Sequence, residues 1–247
     1  MVFAGVVLSV SSFANAGFVY IDSNVGNPWG ETSNEASMDG VFGSGAWDDL
    51  NYETVNVATL FSASSDFIYM EGGDFNANEL EAFILANQTA MESWVFDGGR
   101  LFINSAPNEG DGMSFGFGVS LVYPDIDLNV SGVDAAHAIF NGPFGATGAN
   151  FSGTDFSHAT VSGVNLNDLI IGDVTSNTVL GDMFYGSGYA IFGGMTTLNW
   201  QNPNAFELRQ NIIHNAANVA LVPEPSTLAI FALGLMGLAS RRFKKHS

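Results

Sequence analysis

The sequence predicts a three-layer α/β sandwich around a mostly parallel sheet, with an elaborated second half rich in Gly, Ser and Asn and a C-terminal hydrophobic helix. Two observations carry the parallel half. Short apolar runs closed by polar or glycine turns recur at Phe18–Asp22, Thr54–Ala58, Phe67–Glu71 and Arg100–Asn104, the pattern of strands covered on both faces. A 3.6-residue apolar period fills the gap between the last two runs, so that strand, helix and strand form a βαβ unit with a right-handed crossover. The third observation is the second half itself, where short β-like pieces alternate with turn residues.

In order along the chain, the helix of that unit presents Leu80, Phe83, Ile84, Met91, Trp94 and Val95 on one face, with Asn78 and Glu81 as a cap-like pair and Gly98-Gly99 as its stop. From Ser114 to Gly181, Leu121–Tyr123, Ala159–Val161, Leu169–Ile171 and Thr178–Leu180 read as short strands. Ala190–Phe192 is a late strand, and Asn202-Pro203 opens a helix through Phe206, Leu208, Ile212, Ile213 and Ala216. No repeat of solenoid or propeller length is present.

The chain of 247 residues divides into a signal peptide (1–16), one α/β domain (17–218) and a C-terminal tail (219–247). Its charge is distributed unevenly. Four of six basic residues fall in the last seven positions, leaving Arg100 and Arg209 against 24 acids between Gly17 and Val222, a net −22. Such a surface repels nucleic acid and anionic lipid. It is compatible with weak Ca²⁺ binding, since hard cations prefer carboxylates. No other cofactor and no metal site is expected: cysteine is absent, which excludes thiolate nucleophiles and Cys-ligated zinc, and His137, His158 and His214 show no metal-ligand spacing.

Both ends look like addresses. Val2 to Val10 is apolar and leads to Ala14-Asn15-Ala16, a small-x-small site that places signal-peptidase cleavage between Ala16 and Gly17. No Lys or Arg precedes the run, which reads as a signal peptide shortened at its N-terminus. At the other end the apolar run Leu228–Ala239 has twelve residues. That is about 18 Å of helix against about 30 Å of hydrocarbon, short for a lasting span.

Val222-Pro223-Glu224-Pro225, the apolar run and Arg241-Arg242 together resemble the PEP-CTERM sorting signal of Gram-negative bacteria that make exopolysaccharide. The resemblance implies Sec export, transient insertion in the inner membrane by the tail, and recognition of Pro223, Glu224 and Pro225 by an exosortase. The expected destination is the cell envelope or the extracellular space, with exopolysaccharide as a partner.

The body carries a second resemblance. DFIYMEGGDFNANELEAF, FDGGRLFINSAP, HAIFNGP and GSGYAIFGGMTTLNW leading into LRQNIIHNAAN are similar to the class I glutamine amidotransferase-like, flavodoxin-like sandwich. The resemblance implies a nucleophilic cysteine after the strand that ends at Asn104, where this chain reads Ser105-Ala106-Pro107, and a histidine after the late strand, where it reads Gly193-Gly194-Met195-Thr196. Without that dyad the family's activity is not carried over.

The candidate pocket implied by these strand ends comprises Glu71, Gly73, Asp74, Asn104, Ser105, Ser114, Met195 and Thr196. Glu71-Gly72-Gly73-Asp74 sits between strand and helix, where α/β folds bind ligands, but Asp74, Glu79 and Glu81 crowd that helix start and disfavour a phosphate. Gly112-Met113-Ser114-Phe115-Gly116 matches G-x-S-x-G, with the three histidines downstream and Asp125, Asp127 or Asp134 as orienters. Asp125-Ile-Asp127-Leu-Asn129 begins like a calcium loop but has Val130 and Ala136 where glycine and glutamate belong.

The expected function is therefore a non-catalytic structural or binding role at the cell surface. One alternative is an extracytoplasmic serine hydrolase using Ser114 or Ser105. Another is a glycan-binding module using exposed members of Trp29, Trp47, Trp94 and Trp200, of which Trp29 and Trp200 flank proline-bearing loops.

Overall fold

A computed structural model describes residues 17–201 and 205–221. Ala16 of the signal-peptidase site, the Asn202-Pro203 helix opening, the sorting residues Pro223, Glu224, Pro225, Arg241 and Arg242, and the C-terminal hydrophobic helix lie outside the described residues. The first half runs β1 (Phe18–Asp22), α1 (Ser33–Phe42), β2 (Asp48–Asn51), a single turn α2 (Val57–Leu60), β3 (Phe67–Glu71), α3 (Ala77–Phe96) and β4 (Arg100–Asn104). The second half runs β5 (Met113–Gly116), β6 (Val119–Val122), β7 (Asp127–Gly132), β8 (Asn141–Gly142), β9 (Gly145–Ala146), β10 (Asn150–Ser157), β11 (Thr160–Gly163) and β12 (Asn167–Gly172). It closes with β13 (Thr178–Tyr185), β14 (Gly188–Gly193) and α4 (Ala205–Asn218).

Twelve strands form one curled, mixed sheet, whose main path is β10-β7-β12-β13-β14-β4-β3-β1-β2. This corrects the expected mostly parallel, flavodoxin-like sheet. Four pairings are parallel (β1/β2, β1/β3, β3/β4 and β4/β14), whereas seven pairings in the same sheet are antiparallel. The physical reason lies in the connections. Parallel neighbours need a long crossover, which α1 and α3 provide, but Tyr185 pairs with Gly188 across a two-residue turn with Gly186 at φ 60°, and such a hairpin can only return antiparallel.

The parallel strands are apolar throughout because both faces are covered. Val19, Ile21, Ile68, Met70, Leu101, Ile103, Ala190 and Phe192 point to one side, toward α3 and the β5–β6 hairpin. Tyr20, Phe67, Tyr69, Phe102, Tyr189 and Ile191 point to the other, toward α1, α4 and the aromatic residues of β10. The period of two along each strand thus divides one run of residues between two cores.

The expected helix over Leu80 to Val95 is α3, with all six predicted apolar residues buried. Its cap differs from the Asn78–Glu81 pair. The N-cap position is Asn76, and the Asn78 backbone N–H donates to Glu109 Oε1 at 3.2 Å, so the helix start is capped by a carboxylate from a distant loop. The expected strand at Thr54–Ala58 is instead a turn leading into α2, which Asn56 initiates by accepting from the Thr59 N–H. The edge strand is the acidic Asp48–Asn51. No described helix is long and apolar enough to cross a membrane.

Candidate functional site

Four parallel strands end side by side, at Asp22 (β1), Glu71 (β3), Asn104 (β4) and Gly193 (β14). After β1 the chain turns into α1 on one face, and after β3 it turns into α3 on the other. The crevice between β1 and β3 is therefore the point at which an open α/β sheet usually receives ligands. Here its side chains bind one another.

Glu71 is 1% exposed. Its carboxylate accepts from Tyr69 Oη at 2.7 Å and from Asn104 Nδ2 at 3.0 and 3.2 Å. Asn104 also clamps the chain beyond β14, donating to the Met195 carbonyl at 2.8 Å and accepting from the Met195 N–H at 3.0 Å. Arg209 of α4, 2% exposed, donates to Tyr69 Oη at 2.9 Å and to the Thr196 carbonyl at 2.7 Å. The only cation in this core thus reaches the glutamate through a phenol, a buried ion pair relayed by one hydroxyl.

Burial pushes the Glu71 carboxyl up to about 7, against the pull of the Arg209 charge and the Tyr69 and Asn104 hydrogen bonds. Burial likewise lifts Asp22 to about 7, with Asp49 and Glu35 adding repulsion. Tyr69 is held well above its ordinary value, mainly by burial, so it stays a neutral donor.

The crevice is roofed. Trp29, in the left-handed region at φ 58°, packs edge-on against His158 (centroids 4.6 Å) and Trp200 (5.4 Å). Glu31 Oε1 accepts from the Asn199 N–H at 3.2 Å and ties the two roof loops together. Gly73 is small for a reason: a Cβ there would stand 3.0 Å from both Glu71 Oε1 and Trp29 Nε1. The left-handed backbone of the bulky Trp29 carries a cost of about 1–3 kcal/mol, which the packing around it must offset.

Of the eight candidate pocket residues, Glu71, Gly73, Asn104, Ser105, Met195 and Thr196 come together, all buried. Ser105 Oγ donates to the Gly72 carbonyl at 2.6 Å, and Thr196 Oγ1 donates to the Asp155 carbonyl at 2.6 Å. Asp74, at φ 55°, lies on the rim, where it accepts from Asn108 Nδ2 at 2.9 Å. Ser114 does not join them. It is an exposed residue of β5 whose Oγ accepts from the Gly116 N–H at 3.2 Å, inside a hairpin rather than on a strand-to-helix elbow.

Among the described residues no histidine bonds to Ser105 or Ser114. His137 Nδ1 accepts from the Ile139 N–H, His158 Nδ1 lies 3.3 Å from the Pro107 carbonyl, and His214, whose pKa is lowered by burial, packs against Phe144. Asp125 accepts from Thr160 and Asn177, and Asp127 accepts from Thr175 and the Val174 N–H, so both pin a loop. Among the described residues no group of three or more His, Asp or Glu is arranged to hold a metal ion.

Sequence reasoning singled out Trp29 and Trp200 as sugar-binding candidates but missed Arg209 and the roof that the two tryptophans form with His158. For Arg209 a sign existed: it shares the helical face of Ile212, Ile213 and Ala216, and an arginine on a buried stripe requires an internal partner. The roof had none, because its members are joined only by the fold.

A family model described as the PEP-CTERM protein-sorting motif matches residues 221–245. The chain is thus an exported protein sorted by an exosortase, carried to the membrane by its C-terminal tail. No curated protein matches the chain. Among solved structures, it is similar to a β-galactosidase from Bacillus circulans sp. alkalophilus, with 11% identity and TM-score 0.51, over 82% of this chain and 31% of that one. It is also similar to a cold-adapted β-galactosidase from Rahnella sp. R3, with 13% identity and TM-score 0.51, over 81% of this chain and 31% of that one.

The chain therefore spans 31% of the length of these two structures, and at such identity the likeness is one of fold alone. The expected amidotransferase-like body is not supported by these comparisons, in which the neighbours are glycosidases.

Proposed function

We propose that this exported chain is a non-catalytic structural or binding protein of the cell surface or exopolysaccharide matrix. The observation that carries the reading is the filled crevice. Asn104, Ser105, Met195 and Thr196, which a strand-end active site would present to a substrate, are each 0–1% exposed; Asn104 bonds to Met195, and the Ser105 and Thr196 hydroxyls donate to the Gly72 and Asp155 carbonyls. A group whose donors and acceptors are all used internally is positioned to stabilise, not to meet a reacting atom. Weak association of Ca²⁺ with the acidic surface belongs to the same reading.

The serine-hydrolase alternative has no observation in its favour, since Ser105 is sealed and Ser114 has no histidine. The test is a panel of esterase, peptidase and glycosidase substrates applied to the purified protein. No turnover above buffer is expected. Hydrolysis that disappears in Ser114→Ala or Ser105→Ala overturns the proposal.

A further inference from the structure

Away from the crevice, at the opposite ends of the parallel strands, a cleft of about 470 Å³ opens between the turn before β3 and the end of α3. Its walls are Phe61, Asp66, Ser93, Trp94, Asp97 and Arg100. The walls are fixed. Trp94 Nε1 donates to the Ser62 carbonyl at 3.2 Å, and the indole lies so close over Gly99 that a Cβ there would stand 2.4 Å from the ring. Phe61 packs at 6.0 Å from the same indole.

Three charged side chains line this space without engaging one another. Arg100 is one of two Lys or Arg cations in a body of 24 acids, yet its side chain forms no hydrogen bond or ion pair with any described residue, and its Nε is buried with no acceptor. Neither the Asp66 nor the Asp97 carboxylate accepts a hydrogen bond from a described residue. A buried N–H without an acceptor is destabilising, and a bound oxygen removes that cost.

We propose that this cleft binds a neutral glycan of about one or two sugar units, the size such a volume accommodates. The chemistry selects the ligand. The buried Arg100 Nε–H needs an acceptor, the exposed Asp66 and Asp97 carboxylates at the rim can take donors in exchange for water, and a hydroxyl is the common group that supplies both. Two carboxylates against one guanidinium, within a body of net −22, exclude phosphate, sulfate and uronate ligands. A purely cationic ligand would leave the Arg100 N–H unmet. Phe61, half-buried, with the small exposed part of Trp94 (7%) beside it, offers an apolar wall to the C–H face of a sugar ring. The inference deepens the binding role proposed above and rests on it only for the source of the glycan.

The test is titration of the purified full chain with neutral gluco-, galacto- and manno-oligosaccharides, and with polygalacturonate as the anionic counterpart, followed by tryptophan fluorescence and calorimetry. Saturable binding of at least one neutral series is expected. It should weaken at least tenfold in Arg100→Ala and in Arg100→Lys, which keeps the charge but removes the Nε–H, and should weaken in Asp97→Asn. Trp29→Ala combined with Trp200→Ala should leave it unchanged.

The proposal is overturned if no neutral series binds, if polygalacturonate alone binds, or if Arg100→Lys, shown folded by circular dichroism, binds like the parent. Absence of glycan binding would leave the envelope role standing. Conversely, detected hydrolysis would remove the non-catalytic reading without touching the cleft.

Discussion

At the scale of single residues, two carboxyls dominate the chemistry of the body. Glu71 and Asp22 both titrate near 7 in the fold, raised by burial from the ordinary carboxylate range near 4. Between about pH 4 and pH 7 the native state therefore holds more protons than the unfolded chain, and stability falls as pH rises through that window. The expected outcome is a Tm several degrees lower at pH 8 than at pH 5 in thermal melts, with the slope reduced in Glu71→Gln. A Tm that rises over this range would contradict the buried arrangement. How legible was this site? The sequence exposed Glu71 and Asn104, because both stand at the polar end of an apolar run. It hid their partner, because Arg209 lies 140 residues from Tyr69 along the chain and only tertiary folding joins them.

At the scale of elements, the legible parts were those whose signal is local. The periodicity of α3 and the runs of β3 and β4 needed no distant information, and they pair as a parallel unit. Edge strand β2 was missed because Asp48-Asp49-Leu50-Asn51 lacks an apolar signature, as befits an edge protected from further pairing by charge. The antiparallel half was seen only as short fragments, since β7, β10, β12 and β13 acquire their register from each other rather than from their own sequence. The close seating of β14 against α3 yields a prediction of its own. A Cβ on Gly188 would stand 1.9 Å from the Val95 carbonyl and 2.4 Å from the Gly99 carbonyl, backbone atoms that cannot yield cheaply. Gly188→Ala is expected to lose several kcal/mol or the fold, measured by urea denaturation. Gly43→Ala, at φ 93° and ψ 144° with nothing within contact distance, should lose about 1–3 kcal/mol from its backbone conformation alone.

At the scale of the whole molecule, the prediction concerns processing. Intact-mass spectrometry of the exported protein should find residues 228–247 absent in a strain with a working exosortase and present when the exosortase gene is deleted. Retention in both strains would mean that the PEP-CTERM signal is not cut. The course of α4 gives this event a geometry. Arg209, early in the helix, reaches the crevice edge through Tyr69, whereas Asn215, a turn and a half later, meets Tyr189 at the start of β14. The helix therefore runs back along the sheet, and Val219 and Leu221 pack into the same cluster as Phe18, just after Gly17. The first and last described stretches of the chain thus pack against the same hydrophobic cluster. Only six residues separate Leu221 from the apolar run at Leu228, a reach of about 24 Å when fully extended. The matched sorting signal therefore begins at a residue still packed on the body's core, so that domain and address share Leu221.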